Sequence, residues 1–306
     1  MRVAAIDCGT NSVRLLIADI SGNVMTEVER HMQIVRLGQG VDRTGRLAPE
    51  ALERTFTAMR GYQELIVAHG ATATRVVATS ATRDAANRQE FADGVLAIFG
   101  VEPEVVTGAE EAELSFTGAT RSLAGEGEQP YLVVDIGGGS TEFVVGGGHV
   151  EGAISVDIGC VRLTERHLKD AGDPPPAPAL ERVVADIEAA LDKVAAAVPV
   201  ERAKTLVGLA GSVTTVAGIA LDLPQYDADK IHHARISAEQ VHGVVRELLA
   251  MTHEQRAAVP VMHPGRVDVI GAGALILDRI VRRFAFSQVV VSEHDILDGI
   301  AWSLSG

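Results

Sequence analysis

Tyr131-Leu132-Val133-Val134-Asp135-Ile136-Gly137-Gly138-Gly139-Ser140-Thr141-Glu142-Phe143-Val144-Val145 is the stretch from which the rest of the chain can be read. One apolar run ends in a glycine turn and a second follows, so two strands flank a bend whose backbone is bare of side chains. Gly137, Gly138 and Gly139 let an anion approach backbone N–H groups, and Ser140 and Thr141 add hydroxyl donors at the same bend. Asp135 before the turn and Glu142 after it supply carboxylates where a hydrated Mg²⁺ could sit against that anion. Phosphate chemistry is the first expectation.

The N-terminus repeats the pattern. Val3 to Ile6 runs into Asp7-Cys8-Gly9-Thr10-Asn11-Ser12, and Val13 to Ile20 resumes as a second strand, with Asp7 the counterpart of Asp135. Either copy alone favours a plain hairpin turn. Two matched copies favour phosphate binding and imply an internal repeat of about half the chain.

A length of 306 residues implies two domains, each able to bury its own core. With 27 Lys and Arg against 41 Asp and Glu, the formal net charge is −14, which excludes nucleic-acid binding through a broad basic surface. A polyanion would need a local positive site, and because most of the basic residues are Arg, forked guanidinium contacts are the device to expect. Cys8 and Cys160 form neither a disulfide framework nor a zinc spacing, which fits a reducing cytosol. Asp7, Asn11 and Arg14 interrupt the N-terminal apolar run, so no export signal is expected there, and Thr205 to Leu221 is too short and glycine-rich to span a membrane. A cytoplasmic protein is the expectation.

Between these landmarks the pattern predicts a third strand at Met32 to Leu37, a helix from Pro49, a buried strand at Arg75 to Ala78 and a helix over 84–99. Thr79-Ser80-Ala81-Thr82-Arg83 lies at that strand-to-helix junction. It reads as a phosphate contact or as an ordinary cap with a solvated Arg. After a strand at Val101 to Val106, Thr107 and Glu110 spell a capping box, and on spacing alone Glu111 is a surface acid favoured by the helix dipole. Polar Gly125 to Pro130 marks the domain boundary. Beyond it, the pattern predicts a strand at Val150 to Val156 and a helix entered at Gly159-Cys160. A stiff loop follows at Gly172 to Pro178, then a structural helix over 180–198. Gly208 to Ser212 is a third glycine and hydroxyl turn, in which Gly211 permits close approach of a ligand or of a neighbouring helix. Ser237 and Gln240 spell another capping box, a helix is expected over 266–283 and a strand at Gln288 to Val291; His232, His233 and His253 lack ligand spacing.

The chain resembles the exopolyphosphatase and guanosine pentaphosphate phosphatase (Ppx/GppA) family over nearly its whole length. Six segments in order carry the resemblance: Asp7 to Leu15, Ala78 to Arg83, Glu110-Glu111-Ala112, Val134 to Glu142, Gly208 to Ser212, and Ser292-x-x-Asp295-x-x-x-x-Gly299. The resemblance implies an α/β fold of two ribonuclease H-like domains of the actin, sugar kinase and Hsp70 superfamily facing a central cleft. They would span 1–125 and 126–294, with a C-terminal helix at about 295–306 packing back onto the first. Longer members carry further helical domains, so this chain is expected to act on short polyphosphate.

By position, Glu111 looks like the family's catalytic glutamate, which reverses the reading from spacing. Asp135 and Glu142 match the catalytic acids at the metal, with Asp7 a further metal candidate. Gly9, Thr10, Asn11, Ser12, Gly137, Gly138, Gly139, Ser140 and Thr141 would clamp phosphates; Gly211, Ser212, Arg14, Arg83 and Arg266 match further phosphate-chain contacts. The implied activity is hydrolysis of the terminal phosphoanhydride of inorganic polyphosphate with Mg²⁺ (Mn²⁺ as an alternative), by a homodimer that uses neither nucleic acid nor membrane. Alternatives are guanosine pentaphosphate 5′-phosphohydrolysis at the same site, a kinase of the same fold, and a non-catalytic polyphosphate or alarmone sensor.

Overall fold

The computed structural model describes residues 1–123 and 126–305. It divides into two compact units, the first 118 residues with the segment from Asp295, and Ala119–His294. The boundary expected at Gly125 to Pro130 starts outside the described residues, as does position 306, the last of the expected C-terminal helix.

In the first unit β1 (Arg2–Cys8), β2 (Ser12–Ser21) and β3 (Val24–Ile34) form an antiparallel meander. Next to β1 lie β4 (Ala73–Ala78) and β5 (Glu104–Val105), both parallel to it, in the order β3-β2-β1-β4-β5. The helices are α1 (Val41–Thr44), α2 (Pro49–His69), α3 (Ser80–Asp84), α4 (Arg88–Phe99) and α5 (Gly108–Thr120). Strand alternation sends Ala4, Ile6, Leu15 and Ile17 to a core shared with Leu52, Met59, Phe91 and Val95, and sends Val3, Ala5, Leu16 and Ala18 to the opposite face.

Three expectations in this unit need correction. The third strand lies at Val24–Ile34, not Met32 to Leu37, because at the sheet edge Thr26, Glu27, Glu29 and Arg30 are tolerated on a half-solvated ladder. The helix expected over 84–99 is two helices: Asn87 breaks it by donating to Leu47 O (3.0 Å) and accepting from Leu47 N (2.8 Å). The strand expected at Val101 to Val106 pairs only at Glu104–Val105.

The second unit repeats the plan. β6 (Tyr131–Ile136), β7 (Thr141–Gly146) and β8 (Val150–Val156) form a meander, and β9 (Thr205–Leu209) runs parallel to β6. A short β10 (Arg235–Ser237), which sequence reading missed, pairs antiparallel with β11 (Gln288–Val291), giving β10-β11-β9-β6-β7-β8. The two sheets share the ribonuclease H-like order of meander, first strand and parallel neighbours.

Packed in this unit are α6 (Cys160–Leu163), α7 (Ala177–Ala197), α8 (Ala210–Ala220), α9 (Ala228–Ile231), α10 (Ala238–Ala250), α11 (His253–Ala257) and α12 (Ile270–Arg283). The Ser237 and Gln240 capping box is present at α10. The helix expected from Arg266 starts only at Ile270, since Pro264–Arg266 forms a 3₁₀ turn.

The last helix, α13 (Ile296–Ser303), belongs to the first unit, where Ile296, Leu297, Ile300, Ala301 and Trp302 cover the second sheet face. It meets α5 backbone to backbone: a Cβ at Gly118 would lie 1.8 Å from Asp295 O, and one at Gly299 would lie 2.0 Å from Leu114 O. Among the described residues no helix is long and apolar enough to cross a membrane.

Candidate active site

In the first unit the expected residues collect at the carboxyl ends of β1, β4 and β5, where crevices of parallel sheets take ligands. Cys8 pairs with Ala78 and Ala78 with Val105, so the Gly9 to Ser12 turn, the Thr79 to Arg83 junction and the approach to α5 lie side by side. Thr10 Oγ1 and Ser80 Oγ share a hydrogen bond of 2.9 Å. Glu111, in the first turn of α5, is only 7% exposed, and Arg83 Nη1 donates to its Oε2 at 2.9 Å and to Val106 O at 3.0 Å. Glu110 instead closes the cap: the Thr107 N–H donates to its Oε2 at 2.8 Å, which holds that carboxyl below its ordinary range. Adjacent glutamates thus point to separate tasks, as a rotation of about 100° per helical residue requires.

Arg14 lies opposite Asp7 across β1 and β2, and its Nη2 donates to Asp7 Oδ2 at 2.7 Å while Nη1 donates to Asp295. It is therefore the counter-ion of two buried acids, and a phosphate contact by Arg14 would compete with both. Burial pushes the Asp7 carboxyl above its ordinary value against the pull of Arg14. At Asp295 burial acts the same way, but Arg14 and the Leu297 N–H outweigh it and hold the carboxyl low. Asp7 Oδ1 is buried with no hydrogen-bond partner, an acceptor placed to meet a ligand.

The second unit reproduces the turn. Gly137 N donates to Ser140 O at 3.0 Å, as Gly9 N does to Ser12 O at 3.0 Å, and Asp135 pairs in register with Glu142 as Asp7 pairs with Arg14. At the matching position, then, one unit sets Arg against the strand-end aspartate and the other sets Glu. Asp135 and Glu142 are 7% and 2% exposed, and Ser155 Oγ donates to Glu142 Oε1 at 2.7 Å. The N–H groups of Cys160, Val161 and Arg162 bond the carbonyls of Gly137 and Gly138, which fixes the peptides of the glycine turn, while Thr141 Oγ1 is spent on Ile158 O at 2.6 Å. Arg162 Nε donates to Gly139 O at 2.6 Å. Sequence reading missed Arg162; the signal available was its place in the first turn after Gly159-Cys160.

Asp135 also pairs with Leu209 of β9, which brings the third turn alongside. There Ala210 sits at φ 66°, a left-handed strain costing about 1–2 kcal/mol for a non-glycine residue. The Arg266 guanidinium lies directly over Gly211, where a Cβ would come within 1.0 Å of its Nη1. Ser212 hydrogen-bonds the Cys160 thiol, which burial pushes above its ordinary pKa. Gly211, Ser212 and Arg266 are thereby brought together beside the Asp135 turn, whereas the His232 ring lies tilted against His233 and His294, with centroids 3.7 and 4.4 Å away.

Among the described residues no cluster of three or more His, Cys, Asp or Glu could hold a metal. A cation set against Asp135 and Glu142 would therefore take its remaining ligands from water and phosphate, the habit of Mg²⁺. The all-oxygen donor pair of Asp135 and Glu142 suits a hard cation.

A family model described as the Ppx/GppA phosphatase family matches residues 16–305. A Mycobacterium tuberculosis (strain H37Rv) protein named Exopolyphosphatase 2 is 50% identical over 100% of this chain and 99% of its own length. A solved Aquifex aeolicus PPX-GPPA enzyme superposes with a TM-score of 0.83 at 33% identity, covering 99% of each chain. The Guanosine-5'-triphosphate,3'-diphosphate pyrophosphatase of Aeromonas salmonicida is 29% identical over 99% of this chain and 59% of its own length.

Proposed function

Because the chain belongs to the Ppx/GppA phosphatase family, we propose that it is an exopolyphosphatase, which hydrolyses the terminal phosphoanhydride of inorganic polyphosphate and releases orthophosphate. The observation that carries this reading is the buried cross-strand pair Asp135 and Glu142 beside a glycine turn. An anion-binding turn alone gains nothing from two carboxylates, whereas a cation set against phosphate needs them. The half-identical relative named as an exopolyphosphatase supports the same reading.

A phosphoanhydride resists attack because its oxygens repel the nucleophile, so hydrolysis rests on neutralisation and in-line positioning. Mg²⁺, with Mn²⁺ as the alternative, would supply that neutralisation when held at Asp135 and Glu142; in the first unit, Asp7 Oδ1 is a separate candidate donor. Glu111 takes or steers the proton of the attacking water, and Arg83 fixes its carboxylate from one side. Gly9 to Ser12 in the first unit, and Gly137 to Ser140, Gly211, Ser212 and Arg266 in the second, hold phosphate oxygens; Thr141, its hydroxyl given to Ile158 O, shapes the turn, while Arg14 acts by holding Asp7. We further propose a cytoplasmic homodimer with domains at 1–125 (with 295–306) and 126–294, acting best on short chains.

The test is Mg²⁺-dependent orthophosphate release across polyphosphate lengths. Wild type should release phosphate, and Glu111→Gln should stay folded and lose about 10²–10⁴ in rate. Wild-type turnover in that variant would remove Glu111 from the mechanism, and polyphosphate binding without turnover would favour a sensor. The second reading, guanosine pentaphosphate as substrate, is favoured by the Aeromonas relative and is scored by running that nucleotide in parallel.

A further inference from the structure

In the second unit every carbonyl of the glycine turn is taken by the first residues of α6. Cys160 N donates to Gly137 O at 3.0 Å, Val161 N and Arg162 N donate to Gly138 O at 2.9 and 3.1 Å, and Arg162 Nε donates to Gly139 O at 2.6 Å. In a trans peptide the N–H points opposite to the carbonyl of the same unit, so the N–H groups of Gly138, Gly139 and Ser140 face away from α6. Among the described residues none of these three N–H groups donates to the protein. Successive N–H groups turned to one side make an anion-binding concavity. Gly159 lets α6 close on the turn this tightly, since a Cβ there would lie 2.4 Å from Gly138 O and 2.6 Å from Gly139 N.

The matching turn of the first unit needs no side chain for the same purpose. There Thr10 O accepts from Gly38 N at 2.8 Å, and Asn11 O accepts from Val35 N and Arg36 N at 3.0 and 2.9 Å, so backbone alone holds the counterparts of Gly138 and Gly139. At Gly139 O the Arg162 Nε–H stands where the first unit uses neutral backbone donors. A neutral donor is therefore enough to hold this peptide. We infer that Arg162 is a positioning residue: its Nε–H orients the Gly139–Ser140 peptide so that the Ser140 N–H meets a phosphate oxygen, and it acts as a hydrogen-bond donor, not as a charge on the phosphate chain. The inference rests on the phosphate-binding part of the proposed function.

Gln and Met carry an amide nitrogen and a methyl carbon at the place in the side chain where Arg has Nε. Arg162→Gln thus keeps a donor without the charge, and Arg162→Met keeps the reach without the donor. The readout is calorimetric binding of tripolyphosphate with Mg²⁺ in a Glu111→Gln parent, so that ligand is not consumed, on samples that urea unfolding shows to be folded under the assay conditions. Arg162→Met should bind about tenfold more weakly than the parent and Arg162→Gln within about threefold of it. The loss in Arg162→Met should hold at high salt, whereas a direct ion pair with phosphate would be screened. Equal weakening by both substitutions, or an Arg162→Met variant that binds like the parent, overturns the inference. A parent that fails to bind tripolyphosphate would sink the phosphate-binding reading and the inference with it, so the two failures are told apart.

Discussion

Arg14 and Glu142 occupy matching places in two copies of one turn, and their opposite charges divide the labour between the copies. Where Arg14 stands, two buried aspartates are held together by one guanidinium. Arg14→Ala should therefore cost about 3–5 kcal/mol in urea unfolding, since it leaves Asp7 and Asp295 buried without their shared cation. Loss of phosphate release with unchanged unfolding would instead give Arg14 a direct part in binding. Where Glu142 stands, two acids pair across β6 and β7, an oxygen donor pair that suits a metal cation. Glu142→Gln should raise the Mg²⁺ concentration for half-maximal phosphate release at least about tenfold, and chelation should abolish release in wild type. At this scale the residue types and the turn chemistry are legible in the sequence itself. The second partner of Arg14 is not, because Asp295 lies 281 positions away.

Helix α5 presents Glu111 from its first turn and crosses α13 through Gly118 and Gly299. No larger side chain fits between these backbones. Gly118→Val or Gly299→Val should destabilise by about 1–3 kcal/mol through overpacking and lower phosphate release at the same time, since the displaced helix carries Glu111. Loss of stability with full activity per folded molecule would separate the crossing from the site. Caps at Thr107 and Ser237 are readable because a capping box is complete within four residues. Breaks made by distant groups are not: Asn87 ends a helix by bonding Leu47, and β3 is a strand because β2 offers it an edge.

Each unit has its own sheet and core, but they differ in how the chain completes them. Ala119–His294 is one continuous segment with a large apolar cluster of its own and should, produced alone, unfold in one cooperative transition followed by circular dichroism. Residues 1–118 alone leave the Val3, Ala5, Leu16 and Ala18 face bare, because its cover comes from Ile296 to Trp302. That fragment should fail to fold cooperatively, and linking the 295–306 segment to it should restore the transition. A stable, cooperative 1–118 fragment would show that the helix is dispensable.

The chain's local order is enough to reveal two matched turns, the alternating strands around them, the helix caps and the acids and glycines that mark phosphate chemistry, since each is set by neighbours within a few positions. What Glu111 and Arg14 do depends on partners brought near by folding: Arg83 for the first, Asp295 for the second. A carboxylate or guanidinium takes its role from the charge and burial around it, and those are properties of contact in space, not of order along the chain.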